Sequence, residues 1–374
     1  MVSQPAAQRK RIRYNGQTLS HQKTDMSHFP AQLEDSARKQ ISVWLLVCCA
    51  MIFAMVILGG ATRLTGSGLS MVEWDPIFGI VPPLDQQTWE ADFAKYRESP
   101  EYQKINIGMA LDGFKSIYWY EFSHRLLGRS IGTVFLLPFL YFIARRMLTA
   151  RLIPRLAIAF VLGGLQGLLG WYMVKSGLVD RPHVSQYRLT AHLSLALLIY
   201  GYLLWLLFDV LFPSGKTPAT STGATKKAAS YLLGLVSITI VSGGFVAGLK
   251  AGLAYNTFPK MSGQWLPPAG WMLQPGWRNL FENIATVQFD HRLLATLTFV
   301  SIVVFWYYAK RIPALSRGTR TGLHLLLLTA VTQVSLGIST LLLHVPVALA
   351  VTHQAGALTL LSITLFVNHR LHNT

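Results

Sequence analysis

Cysteine is almost absent from this 374-residue chain: Cys48 and Cys49 are the only two, they are adjacent, and both lie in the first long apolar run. Adjacent residues inside a span are poorly placed for disulfide geometry, so no structural disulfide is expected and apolar filling is their expected role. Charge is scarce too. Charged residues make up 13% of the chain against 52% hydrophobic, with a mean hydropathy of +0.38, which excludes an ordinary soluble domain. Acids are the scarcest class, 16 Asp and Glu against 33 Lys and Arg. Residues 1–40 carry Arg9, Lys10, Arg11 and Arg13 but lack the apolar core and cleavage site of a secretory signal. They read as a basic tail, and the lack of acids before Asp25 leaves a mitochondrial targeting segment open.

What the chain does have is long apolar runs. A membrane-spanning helix needs about 20 mostly apolar residues. Eight runs qualify, near 41–62, 121–143, 156–174, 188–211, 229–249, 287–309, 321–343 and 346–367. The expected fold is an all-α integral membrane protein with eight transmembrane helices in a lipid bilayer. Spans two and six begin with charged residues, so their outer ends must be buried in protein or reach the interface.

A net charge of +17 invites a nucleic-acid partner, but its distribution argues otherwise. Segment 1–40, the loops near 144–155, 212–228 and 310–320, and the C-terminal tail together hold 19 of the 33 basic residues and few acids. Arg145, Arg146, Arg151 and Arg155, and likewise Lys310, Arg311, Arg317 and Arg320, sit in short loops, where positive charge marks the cytoplasmic side. The basicity is a topology signal, no nucleic acid is expected, and both termini are expected on the cytoplasmic (or matrix) side. A bacterial cytoplasmic membrane is preferred to a mitochondrial inner membrane.

The chain also repeats itself. Glu121-Phe-Ser-His-Arg-Leu-Leu127 aligns with Gln288-Phe-Asp-His-Arg-Leu-Leu294 at an offset of 167, which also carries Gln166 to Gln333 and Gly170 to Gly337. His192 answers His353 at an offset of 161, and Gly59-Gly60 answers Gly243-Gly244. Four helices per unit is an even number, so the copies share orientation and form a parallel repeat. The expected organisation is a tail (1–40), a first four-helix bundle (41–211), a linker (212–228), a second four-helix bundle (229–368) and a tail (369–374), that is, two tandem bundles. The loops near 63–118 and 250–286 would cap the bundles on the outer face. Trp265, Trp271 and Trp277 of the second serve there either as cap or as interfacial anchors.

Four histidines, His124, His192, His291 and His353, stand alone near the starts of the even-numbered spans. Ionisable residues in a bilayer are costly and mark function. Four at matched positions suit two pairs of axial haem ligands: each site offers only two protein ligands, and a porphyrin fills the remaining positions. The separations within each pair, 68 and 62 residues, allow the chain to cross a hairpin and return on an antiparallel neighbour. One histidine per helix argues against a haem stack through the membrane. The other seven histidines, among them His183, His324, His344, His369 and His372, have no repeat partner and read as bland.

The halves differ at one position. Glu121 lies one helical turn before His124, whereas Gln288 precedes His291. A carboxylate at a haem edge can move protons or stabilise a carbocation, which Gln cannot; pairing with a nearby Arg is the alternative. The first half therefore reads as catalytic and the second as a resident electron-transfer site. Arg125 and Arg292, one step beyond each histidine, pair either with haem propionates or with lipid phosphates.

Residues 41–368 resemble the haem A synthase family. The likeness rests on Gly59-Gly-Ala-Thr-Arg-Leu-Thr-Gly-Ser-Gly-Leu-Ser-Met71, Glu121-Phe-Ser-His-Arg-Leu-Leu-Gly-Arg129, Gln166-Gly-Leu-Leu-Gly-Trp-Tyr-Met173, Tyr255-Asn-Thr-Phe-Pro-Lys-Met261 and His353-Gln-Ala-Gly-Ala-Leu358. It is closest to the cysteine-free branch of proteobacteria and mitochondria, since no cysteine pair occurs in an outer loop. The resemblance implies conversion of haem O to haem A for cytochrome oxidase. The C8 methyl is hydroxylated twice, and the resulting diol loses water to leave a formyl group. It implies haem b held by His291 and His353, substrate haem O held by His124 and His192, and a catalytic role for Glu121. Expected partners are an electron donor, haem O synthase and cytochrome oxidase assembly factors, and exposed helix faces leave room for a second copy of the chain. A di-haem b-type electron-transfer cytochrome is the alternative, with a transporter behind it.

Overall fold

The computed structural model describes residues 32–73, 79–177, 184–213, 223–313 and 315–373, and all its regular structure is helical. Eight helices are long and apolar enough to cross a membrane: α1 (Asp35–Leu64), α4 (Leu111–Ala144), α5 (Leu152–Gly177), α6 (Gln186–Leu211), α7 (Gly223–Gly248), α9 (Ile284–Ala309), α10 (Arg317–Leu342) and α11 (Val347–His372). The shorter α2 (Gln86–Arg97), α3 (Pro100–Lys104) and α8 (Asn279–Glu282) lie between them. Side-chain caps set several starts. Asn283 accepts from the N–H groups of Ala285 and Thr286 to open α9, and Ser316 accepts from Thr319 to open α10. Asp35 and Arg63 sit at the two ends of α1 that favour their charges.

The long helices form two squares. Around the first, α1 packs on α4, α4 on α5, α5 on α6 and α6 on α1; around the second, α7, α9, α10 and α11 repeat the pattern. The squares meet where α1 and α6 pack against α11 and α7. Ile52, Leu203, Val236 and Leu361 belong to one continuous apolar core across this seam, and Cys48 and Cys49 are buried in it as apolar filler. Polar bonds cross the seam as well. Gln354 donates to the carbonyl of Val56 at 2.7 Å, and the hydroxyls of Tyr200 and Ser362 lie 2.7 Å apart. Arg63 donates to the carbonyls of Ala247 and Gly248 at 3.3 and 3.2 Å, covering the exposed end of α7.

Several expectations need correction. The second span does not start near 121: α4 begins ten residues earlier, at Leu111, because Phe114 and Tyr118 bury their rings against α2. The 63–118 segment is not all loop, since it contains α2 and α3, and its aromatic cluster of Trp89, Tyr96, Phe114, Tyr118 and Phe122 is a small core of its own. The histidine-bearing helices of one half are not antiparallel neighbours. Spans two apart run the same way, and α4 and α6 occupy the diagonal of their square, as α9 and α11 do. Residues 369–372 are the last turn of α11 rather than a tail, and His369 is fully buried. Most of the basic tail, 1–31, the linker residues 214–222, and His21, His28 and His183 lie outside the described residues.

Candidate functional site

The four histidines occupy matching positions along their helices. His124, His192, His291 and His353 stand 20, 19, 18 and 19 residues before the ends of α4, α6, α9 and α11. At about 1.5 Å per residue that is a spread of only ~3 Å. The square geometry pairs them: His124 and His192 stand on the two diagonal helices of the first square, and His291 and His353 on those of the second. Their helices are diagonal, so each pair faces the interior of its own bundle.

Each imidazole lies against a glycine of the preceding long helix. A Cβ on Gly59 would come within 3.1 Å of His124, on Gly170 within 3.1 Å of His192, on Gly243 within 3.2 Å of His291 and on Gly337 within 2.8 Å of His353. Any side chain would drive into the ring, so the glycines set how far each imidazole withdraws from the bundle centre. Gln166 and Gln333, one turn before Gly170 and Gly337, donate to the backbone carbonyls of His192 and His353 at 3.1 and 2.9 Å. The Nδ1 atoms of His192 and His353 are buried without a partner. Two glycine-backed imidazoles on the diagonal helices of each square, one of each pair with a buried, unpartnered Nδ1, fit a bis-histidine haem, although in the first square Gln166 Nε2 lies 3.2 Å from His192 Nε2. Among the described residues no group of three or more His, Cys, Asp or Glu side chains offers a site for a bare metal ion.

Glu121 and Arg125 form a buried ion pair on one face of α4, with Arg125 Nη2 2.6 Å from Glu121 Oε1. Arg125 Nε reaches the same oxygen at 3.1 Å, while Ser70 Oγ and the Met71 N–H donate to Oε2 at 2.7 and 2.8 Å. Arg125 also donates to the carbonyls of Glu73 and Met71, both at 2.8 Å. The pair thus clasps the 67–73 segment onto the helix. In the second half Gln288 faces the opposite polarity: its amide donates to the carbonyls of Ala251 and Tyr255 at 2.9 and 3.2 Å. Arg292 donates to Thr257 and Tyr255 carbonyls and to Gln288 Oε1. Its Nε is buried without a partner. Both arginines therefore bind loop backbone on the histidine face.

Sequence reasoning brought the four histidines, Glu121, Arg125 and Arg292 to this level, but it missed Ser70, Met71 and Ser242. Ser242 lies 2.8 Å from His291 Nδ1. Its position just before the repeated Gly243-Gly244 pair was the available signal.

The family model described as "Cytochrome oxidase assembly protein" (COX15-CtaA) matches residues 42–365. The chain is 52% identical over 337 residues to the haem A synthase of Nitrosospira multiformis, covering 90% of this chain and 94% of that protein. It is 49% identical over 344 residues to that of Paramagnetospirillum magneticum, covering 91% and 96%. To the haem A synthase COX15 of Arabidopsis thaliana it is 47% identical over 352 residues, covering 90% and 75%.

Proposed function

The chain belongs to the COX15-CtaA family of cytochrome oxidase assembly proteins, and we propose that it is a haem A synthase, oxidising the C8 methyl group of haem O to the formyl group of haem A for cytochrome oxidase. The observation that carries this reading is the glycine-backed imidazole on each of four helices, two per square, at matching distances from the helix ends. The domains follow: residues 41–211 as the substrate bundle and 229–368 as the cofactor bundle. The basic loops lie on the cytoplasmic or matrix side, and the histidine face is opposite.

In this assignment His291 and His353 hold haem b, and His124 and His192 receive the iron of haem O. Haem b, when bound, supplies a one-electron redox centre beside the substrate site. Glu121 supplies a fixed negative charge. Its two oxygens already accept four hydrogen bonds, from Arg125, Ser70 and the Met71 N–H. That arrangement supports stabilisation of positive charge on the activated methyl carbon rather than proton abstraction. Arg125 and Arg292 are placed to meet propionates only through donors not taken by loop carbonyls, and Arg292 Nε is the candidate.

The test is to purify the protein from cells that co-produce haem O, extract the porphyrins and identify them by mass spectrometry. Haem B together with haem O, its hydroxylated form or haem A is the expected result. Haem B alone would identify an electron-transfer cytochrome instead.

A further inference from the structure

The two squares hold their first histidines differently. Ser242 Oγ gives its single proton to the Thr239 carbonyl at 2.8 Å, so toward His291 Nδ1, also 2.8 Å away, it can only accept. This arrangement suits the tautomer of His291 that carries its proton on Nδ1 and presents a bare Nε2. Leu58 occupies the matching position before Gly59 and offers no acceptor. The ring orientations differ in the same sense. His192, His291 and His353 all lay Cε1 closest to their glycine, whereas His124 alone turns Nε2 toward Gly59.

We propose that Ser242 is a positioning residue that locks the tautomer and ring angle of His291, making the second site a permanent haem holder, and that Leu58 leaves His124 free to turn, making the first site one that releases its haem. This rests on the haem assignment above and adds to it a division of labour: substrate must enter and product must leave one site, while the cofactor stays in the other. An acceptor on Nδ1–H orients a ligating imidazole and makes it a stronger donor to ferric iron. A histidine without one is a weaker and more mobile ligand. Placing that weaker ligand at the substrate site lets a bis-histidine centre exchange a tightly bound porphyrin.

The experiment is haem transfer from the purified full-length holoprotein to excess apomyoglobin, with the low-spin EPR signal and midpoint potential of the haem b recorded in parallel. Ser242→Ala is expected to release haem b about 10- to 100-fold faster, the usual effect of losing such a partner, and to raise its midpoint potential. Ser242→Thr, which keeps the hydroxyl, should restore both. Leu58→Ser should slow release of haem O from the first site by a similar factor, a gain that misfolding cannot imitate. Unchanged release and potential in Ser242→Ala, or unchanged release in Leu58→Ser, would overturn the proposal alone. Retention of haem b by His291→Ala would overturn the ligand assignment and the proposal with it.

Discussion

Glu121 Oε1 lies 2.6 Å from Arg125 Nη2, with both side chains almost wholly buried. The same carboxylate ties down Ser70 and the backbone of Met71. Position 121 is therefore a structural clasp as well as the charge proposed to serve the substrate. Its counterpart Gln288 does the same mechanical task with reversed polarity, donating to carbonyls where Glu121 accepts from donors.

Glu121→Gln consequently does more than remove a charge. The new amide would set a donor against Ser70 and Met71 and leave the buried Arg125 charge without its carboxylate, though still bonded to the Glu73 and Met71 carbonyls, at a cost of about 3 kcal/mol. Loss of haem A production should come with a lower melting temperature and faster proteolysis of the 67–73 segment in the purified protein. If haem A production survives, the carboxylate has no part in the chemistry.

Gly337 has the tightest approach of the four cradles, 2.8 Å from a built Cβ to His353 Cε1, against 3.1 Å for Gly170 and His192. Gly337→Ala must displace the ring or the backbone of α10, because the contact is to a constrained imidazole. Haem b content per protein, measured as the pyridine haemochrome, should fall several-fold in Gly337→Ala and less in Gly243→Ala, whose contact to His291 at the same site is 3.2 Å. Equal loss in both would show that the glycines do not set the ligand positions.

How legible was this in the sequence? Spans, histidines and repeat offsets could be read because apolar length and a lone titratable group in lipid each have one dominant physical cause. Ring cradles at Gly170 and Gly337 were visible as repeat partners, but their role needed the third dimension. The arginine half of the clasp at Glu121 was readable as the alternative of an Arg pair, and that pairing is found with Arg125. The loop half was not visible, because Ser70 and Met71 are about 50 positions away and act through a hydroxyl and a backbone N–H. His369 shows the commonest error. Near the chain end and between Asn368 and Arg370 it reads as tail, yet α11 continues past it.

His369 carries a second clamp between the halves. Its Nε2 lies 2.9 Å from Asp209 Oδ1 on α6, and Asp209 Oδ2 pairs with Arg155 Nη2 on α5 at 2.7 Å. His369→Leu removes the hydrogen bond but keeps volume, and it leaves Asp209 still paired with Arg155. The expected destabilisation is about 1–2 kcal/mol, read as a modest drop in melting temperature with haem content retained. Asp209→Leu, which also strands Arg155, should cost more.

The cap on the histidine face should respond to pH through Glu101. This carboxyl, on α3 and outside the spans, is buried, and desolvation together with the Glu121 charge pushes it up to about 7 from an ordinary 4.5, partly opposed by the Tyr96 hydroxyl that donates to it. Tyr96 in turn accepts from Asn106 at 2.7 Å. A carboxyl whose folded value is raised binds its proton more tightly in the folded cap than in the unfolded chain. The stability linked to it is complete below about pH 4.5 and is lost as pH rises through about 7. Limited proteolysis of the 79–110 segment should therefore speed up between pH 5 and 7.5 (roughly the window set by those two values). Glu101→Gln keeps a neutral side chain at every pH and should flatten that dependence. A wild-type profile that is already flat over this range would mean that Glu101 is ionised in the folded cap and that Tyr96 and Asn106 hold it as a carboxylate.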